Sequence, residues 1–315
     1  MEEKKVPLII YDTDMDTDCD DAGAFAIIAE YVKRGKAQLY GIIADAAFDA
    51  VAPACEALCR FYGLDAPIGA IYPGQYPAEE TDRLVRCREH NVRVPDRMRY
   101  NRVLAARLGK SSADYPAAVE TYRKLLANAE DKSVTIIAVG FLTALSDLLD
   151  TGADETSELS GIELVEKKVD KIVIMGDYLP TRDKIGFNWK MDAKGAANFF
   201  NKCPVSCYLS EEGDHIVSGE VFSEKLPEGH ILREIYEIYN GVGKGRRSWD
   251  LIATLYALDN ACPYVSAEPC RTCRYDSVEI TAYYEDGERQ DYHVFTTIPN
   301  EEMAQKLNEY MLGEF

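Results

Sequence analysis

The stretch Val6-Pro7-Leu8-Ile9-Ile10-Tyr11-Asp12-Thr13-Asp14-Met15-Asp16-Thr17-Asp18-Cys19-Asp20-Asp21 passes from apolar to acidic without a break. Its first six residues read as a short buried strand. Ala22 to Tyr31 then reads as a helix whose small first turn, Ala22-Gly23-Ala24, packs closely against a neighbour. Between them stand six carboxylates, at 12, 14, 16, 18, 20 and 21. Mutually repelling acids at the carboxyl end of a strand are costly unless a hard divalent cation lies among them. Carboxylate oxygens are the preferred ligands of Ca²⁺ and Mg²⁺, and open α/β sheets bind ligands at that end of their strands. A solvated acidic loop is the plainer alternative. The strand before and the helix after favour the metal site.

Working outward, short apolar runs alternate with helical spacing, the rhythm of βαβ units. Strands are expected at 38–44, 67–72, 134–139, 171–176 and 205–209, with helices at 53–62, 117–129, 192–201 and 248–258 between and after them. Residues 74–112 are polar, Arg-rich and interrupted by proline, which reads as an extended loop or cap. Val278–Tyr284 and Asp291–Thr296 flank Asp286-Gly287, a hairpin signal, and a last helix is expected over 301–311. The expected fold is therefore α/β: one domain spanning 1–315, a largely parallel open sheet with helices on both faces, then a C-terminal β-hairpin and helix.

Composition narrows the function. The 315 residues carry a net charge of −19, which argues against binding to polymeric nucleic acid. No apolar run reaches the length of a membrane helix, and Met-Glu-Glu-Lys-Lys lacks a signal peptide's apolar region. Nine cysteines, an odd number, point to reduced thiols in a cytoplasm. Cys270-x-x-Cys273 and Cys55-x₃-Cys59 have no second pair to complete a zinc site. The four histidines, His90, His215, His230 and His293, form no ligand motif.

Three carboxylate patterns compete for the first loop. An EF-hand starting at Asp12 fails, because it needs Gly and Glu where Thr17 and Gly23 stand. A haloacid-dehalogenase-type phosphatase, with Asp12 as nucleophile and Asp14 as acid/base, wants Thr or Val where Asp16 stands. The third fits best. The stretch resembles the N-terminal signature of the inosine-uridine-preferring nucleoside hydrolase family, in its longer Asp-x-Asp-Met-Gly-x-Asp-x-Asp-Asp-Ala form, with Asp16 in place of Gly. Later segments resemble the family in the same order. They are Val134-Thr-Ile-Ile-Ala-Val-Gly-Phe-Leu-Thr143, Ile172-Val-Ile-Met-Gly176, Gly186-Phe187-Asn188 with Asp192 following, and Ser248-Trp249-Asp250.

The resemblance implies a nucleoside-hydrolase-like fold and metal-dependent hydrolysis of the N-glycosidic bond of a nucleoside or related riboside. Asp14 would activate a water held by the metal. Asp14, Asp21, Asp250 and the Val139 carbonyl would hold Ca²⁺, with Mg²⁺ as the alternative ion. Asp20 and Asn188 would hold the ribose hydroxyls, with Met175 and Trp249 also lining the substrate. Trp249 stands where several members carry a leaving-group histidine, and Gly186 where the family has a glutamate. The implied partner is a small riboside, with no membrane, and the family's dimers and tetramers are the implied assemblies. The alternatives are the phosphatase and a catalytically silent, riboside-binding relative.

Overall fold

The computed structural model describes residues 6–16, 18–76, 84, 86, 89, 92–176 and 187–315. Strand β1 (Leu8–Thr13) lies inside an eight-stranded sheet. Its pleat sends Ile9 and Tyr11 into one apolar cluster and Ile10 into another on the opposite face. Burial on both faces explains why the run is apolar throughout rather than alternating.

From β1 the chain runs through α1 (Asp20–Lys33), β2 (Gln38–Ala44), α2 (Val51–Tyr62) and β3 (Ile68–Ala70). The described part of 74–112 includes α3 (Tyr100–Leu108). There follow α4 (Ala118–Asn128), β4 (Val134–Ala138), α5 (Thr143–Leu149), α6 (Gly161–Lys168), β5 (Val169–Met175), α7 (Phe187–Met191), α8 (Ala193–Lys202) and β6 (Cys207–Ser210). The last third holds β7 (Val217–Ser218), α9 (Phe222–Lys225), α10 (Ile231–Asn240), β8 (Arg246–Arg247), α11 (Trp249–Leu258) and β9 (Val265–Cys270). It closes with β10 (Thr272–Asp276), β11 (Thr281–Glu285), β12 (Asp291–Thr296) and α12 (Asn300–Leu312).

The sheet order is β3-β2-β1-β4-β5-β6-β12-β9. Every pair in it is parallel except β12 with β9. Phe25 and Ile28 of α1, Leu58 of α2, Leu251 and Leu255 of α11 and Leu307 of α12 cover one face. Tyr122 of α4, Leu145 of α5 and Phe199 of α8 cover the other. Each such side chain contributes roughly 1.5–3 kcal/mol by leaving water. The single α/β domain, the mostly parallel sheet and the helices on both faces match the expectation. Among the described residues, no helix is long and apolar enough to cross a membrane.

The C-terminal hairpin is present, but its partners differ from those read in the sequence. β10 pairs with β11, and the turn between them includes Ile280 at a φ of +53°. Asp286-Gly287 instead links β11 to β12, which joins the main sheet between β6 and β9. The anchor is Asp291, fully buried, whose two oxygens accept from the backbone N–H groups of Cys207 (2.9 Å) and Cys273 (2.8 Å). A buried acid meeting two strands outweighs the local turn preference.

Candidate metal centre and active site

Two helix amino ends meet at the carboxyl edge of β1. Asp20 and Asp21 stand in the first turn of α1 and Asp250 in the first turn of α11. The exposed N–H groups and dipole at such ends favour negative charge. Their approach is made possible by small residues: a Cβ on Gly23 would stand 2.5 Å from the Tyr236 hydroxyl. On the other side, the N–H groups of Val139 and Gly140 donate to the Asp12 carbonyl (2.8 and 3.2 Å). A Cβ on Gly140 would lie 2.9 Å from the Asp14 nitrogen, so only glycine lets the end of β4 sit against the acidic loop.

One carboxylate oxygen from each of Asp18, Asp20, Asp21 and Asp250 lies within 4.8 Å of the others. Asp21 Oδ1 accepts from the Thr13 hydroxyl and from the Met15 N–H (3.2 Å), and Asp20 Oδ2 accepts from the Asp250 N–H (3.1 Å). The oxygens left over, Asp20 Oδ1, Asp21 Oδ2 and Asp250 Oδ1, are buried with no hydrogen-bond partner. Burial, then neighbouring carboxylates, push Asp20 and Asp250 well above the usual carboxylate range. Burial and then Asp18 push Asp21 up to about 7. A buried anion without a partner is costly, and hard oxygen donors in this number suit Ca²⁺ or Mg²⁺. The residues fit a divalent cation.

This group shares Asp21 and Asp250 with the ligand set that the family resemblance implied. Asp14 is buried and is a hydrogen-bond neighbour of Asp21. The Val139 carbonyl accepts from Asn188 Nδ2 (2.6 Å), which brings together two of the expected site residues. Met175 ends β5, half-buried, and Trp249 opens α11 beside Asp250. Gly186 lies outside the described residues, as does His90. His215 is largely exposed.

Two further acids of the loop, Asp16 where the family signature has glycine and Asp18 of its longer form, are each matched by an arginine. Asp16 pairs with Arg99 (3.4 Å), both almost fully buried, and Asn101 also donates to it. Asp18 pairs with Arg246 (2.7 Å). Burial pushes Asp18 up, but Asp20 and the Arg246 guanidinium win and hold it below the usual range. The strained backbone sits at Met15, with φ +27°, one residue before the position where the family has glycine. Tyr100 and Asn101 brace that turn, donating to the carbonyls of Asp18 (2.7 Å) and Met15 (3.3 Å). Arg99, Tyr100, Asn101 and Arg246 were not singled out from sequence. Only the Arg246-Arg247 pair just before Ser248-Trp249-Asp250 offered a readable signal.

Asp12 lies deeper. The Tyr122 hydroxyl donates to it, burial pushes it up to about 7, and Asp45 is a hydrogen-bond neighbour. Asp45 in turn accepts from the Ala144 N–H (3.0 Å).

The architecture is that of solved nucleoside hydrolases and of effector proteins with the same fold. The inosine-uridine preferring nucleoside hydrolase from Bacillus anthracis is similar at 16% identity, over 97% of this chain and 98% of that one, with a TM-score of 0.65. The purine-preferring ribonucleoside hydrolase from Gardnerella vaginalis is similar at 14% identity, over 97% and 98%, with a TM-score of 0.61. The type III effector protein XopQ, solved in complex with adenosine diphosphate ribose, is similar at 16% identity, over 99% and 94%, with a TM-score of 0.68. No family model and no curated protein matches the chain. At these identities the likeness establishes the fold.

Proposed function

We propose that the chain is an N-ribohydrolase of the nucleoside hydrolase family, using a divalent cation to hydrolyse the N-glycosidic bond of a nucleoside or related riboside. The observation that carries this reading is the set of buried carboxylate oxygens without partners on Asp20, Asp21 and Asp250, at the carboxyl end of the sheet. Asp14, Asp21, Asp250 and the Val139 carbonyl would hold the ion, Ca²⁺ being the choice by resemblance. When bound, such an ion lowers the pKa of a water at the site.

Asp14 takes a proton from the attacking water as the water's oxygen bonds to C1′ and the electron pair of the glycosidic bond leaves with the base. Asp20 and Asn188 hold the ribose diol, a task that suits an acceptor and a mixed donor–acceptor. The acidic floor offsets the positive charge that grows on the sugar. Residues 74–112 would act as a cap, a role supported by the bonds from Arg99, Tyr100 and Asn101 to the acidic loop. A phosphatase reading is weaker, because Asp12, its nucleophile, is buried beneath Tyr122.

Trp249 can stack on a base but has no useful acidity. Ribosides with good leaving groups should therefore be cleaved far faster than inosine. The difference expected is about 10²–10⁴-fold, the usual worth of one general acid. Ribose release from p-nitrophenyl riboside and inosine, with and without Ca²⁺, tests the reading. No ribose release from either would leave the silent, riboside-binding alternative that the effector fold suggests. Efficient inosine hydrolysis with a pH dependence near 6–7 would point to a histidine acid.

A further inference from the structure

Two ion-paired arginines in this chain are built differently. Arg289 uses all three of its nitrogens. Nε and Nη2 clasp Asp291 (2.8 and 2.9 Å), Nη1 donates to the carbonyls of Phe200 (3.2 Å) and Cys203 (2.9 Å), and Nη2 also reaches Cys273 (3.0 Å). It is a structural clamp with nothing left to offer. Arg246 donates through Nη2 to Asp18, while its Nε is shut off from solvent with no partner. Leaving a buried charged donor unmatched is more costly than leaving a neutral one.

Arg246 is the less completely bound of the two, and its side chain is still 26% exposed. Asp18 contributes to the acidic cluster, and the guanidinium that holds it lies 5.2 Å from the centre of the Trp249 ring and 5.3 Å from that of Tyr239. Arg247, half exposed and paired with Asp214, lies 5.7 Å from the same indole. An acidic floor thus passes directly into an aromatic wall carrying two guanidiniums, in a protein whose acids outnumber its Lys and Arg by 54 to 35. A riboside seated with its sugar on the floor and its aglycone beside Trp249 would meet the guanidinium that lies over that ring. A planar fork of this kind selects a carboxylate or similar oxyanion over a neutral group.

We propose that Arg246, assisted by Arg247, makes this site selective for ribosides whose aglycone carries an anionic group. This rests on the riboside-binding reading of the site and deepens it. Arg246 is then a specificity-determining residue, and its pairing with Asp18 holds the fork in place against Trp249.

The test uses two C-ribosides, whose C–C bond the enzyme cannot cleave: ribofuranosylbenzene and its 3-carboxy derivative. Each is titrated calorimetrically into the full chain with Ca²⁺ present. The wild type should bind the carboxylated compound about ten- to a hundredfold more tightly, the usual worth of one charged hydrogen bond. In Arg246→Met that ratio should fall to within about twofold of one. A folding defect would weaken both compounds alike and leave the ratio unmoved. If Arg246→Met does not fold, Arg246→Lys keeps the charge beside Asp18 but loses the fork, and should lower the ratio at least about threefold. Equal affinity in wild type, or an unchanged ratio in a variant that binds the uncharged compound as tightly as the wild type does, overturns the proposal. Hydrolysis of p-nitrophenyl riboside separates the two readings. Turnover without a carboxylate preference sinks this inference alone. A preference without turnover sinks only the hydrolase, and neither binding nor turnover sinks both.

Discussion

Two regions of this molecule bury acidic groups, and they treat them in opposite ways. At the hairpin corner Asp291 is fully enclosed, yet its oxygens take two backbone N–H bonds and a two-pronged clasp from Arg289. At the end of β1, Asp20, Asp21 and Asp250 are equally enclosed, and each keeps an oxygen with no partner. The corner joins α8, β6, β10 and β12. The cluster leaves buried acceptors unmatched, an arrangement that could hold a metal. Burial of charge alone does not distinguish structure from function; completeness of the hydrogen bonding does.

The sharpest way to break this contrast is to neutralise one acid in each region. Asp14→Asn should lower kcat by about 10²–10⁴-fold while leaving much of the riboside affinity, as expected on loss of the base. Full activity would pass the role of base to Asp18 or Asp20. Asp291→Ala should cost about 3–5 kcal/mol in urea unfolding, because it strands a buried guanidinium. Asp21→Asn should do the reverse in cation-free protein, holding or raising the midpoint while abolishing Ca²⁺ binding by calorimetry. A stability loss for Asp21→Asn as large as that for Asp291→Ala would erase the distinction.

Acidity sharpens the comparison further. Asp21 lies at about 7 in the fold, far above its unfolded value near 3.9, with Asp20 and Asp250 raised in the same direction. A carboxyl raised on folding contributes stability that is present below its unfolded pKa and lost as pH rises through its folded one. Cation-free protein should therefore melt at a lower temperature at about pH 8 than at about pH 5. Saturating Ca²⁺ should flatten that slope, and its affinity should climb through about pH 7. A flat profile without cation would show that the cluster is compensated in some other way. The smallest effect is expected from Asn188→Ala, which should raise KM for ribosides by about tenfold through one lost hydrogen bond, with kcat little changed.

Much of this was legible in the chain. The continuous apolar run of β1, its acidic exit and the small-residue start of α1 are local signals. β2 matches its expected bounds residue for residue. Asp20, Asp21 and Asp250 could be named because each sits inside a short motif. The arginines could not. Asp16 and Arg99 are 83 residues apart, and Asp18 and Arg246 are 228 apart. An ion pair at that separation leaves no periodicity to read. The hairpin partners were misread for a related reason: Asp286-Gly287 is a valid local turn signal, but the destination of β12 is set by Asp291 reaching across to β6 and β10.

The bond from the Asp250 N–H to Asp20 spans 230 positions of the chain. It follows that the site cannot exist on a molecule synthesised only as far as the residues before α11. While the ribosome is still making residues before α11, the acidic loop has left the exit tunnel without the helix that completes it. Contacts of such long sequence separation form late, after loop closure has been offset by other packing. The growing chain thus spends much of its synthesis with an unfinished acidic cluster, and completes the group of carboxylates that could hold a cation only when nearly four-fifths of its length has emerged.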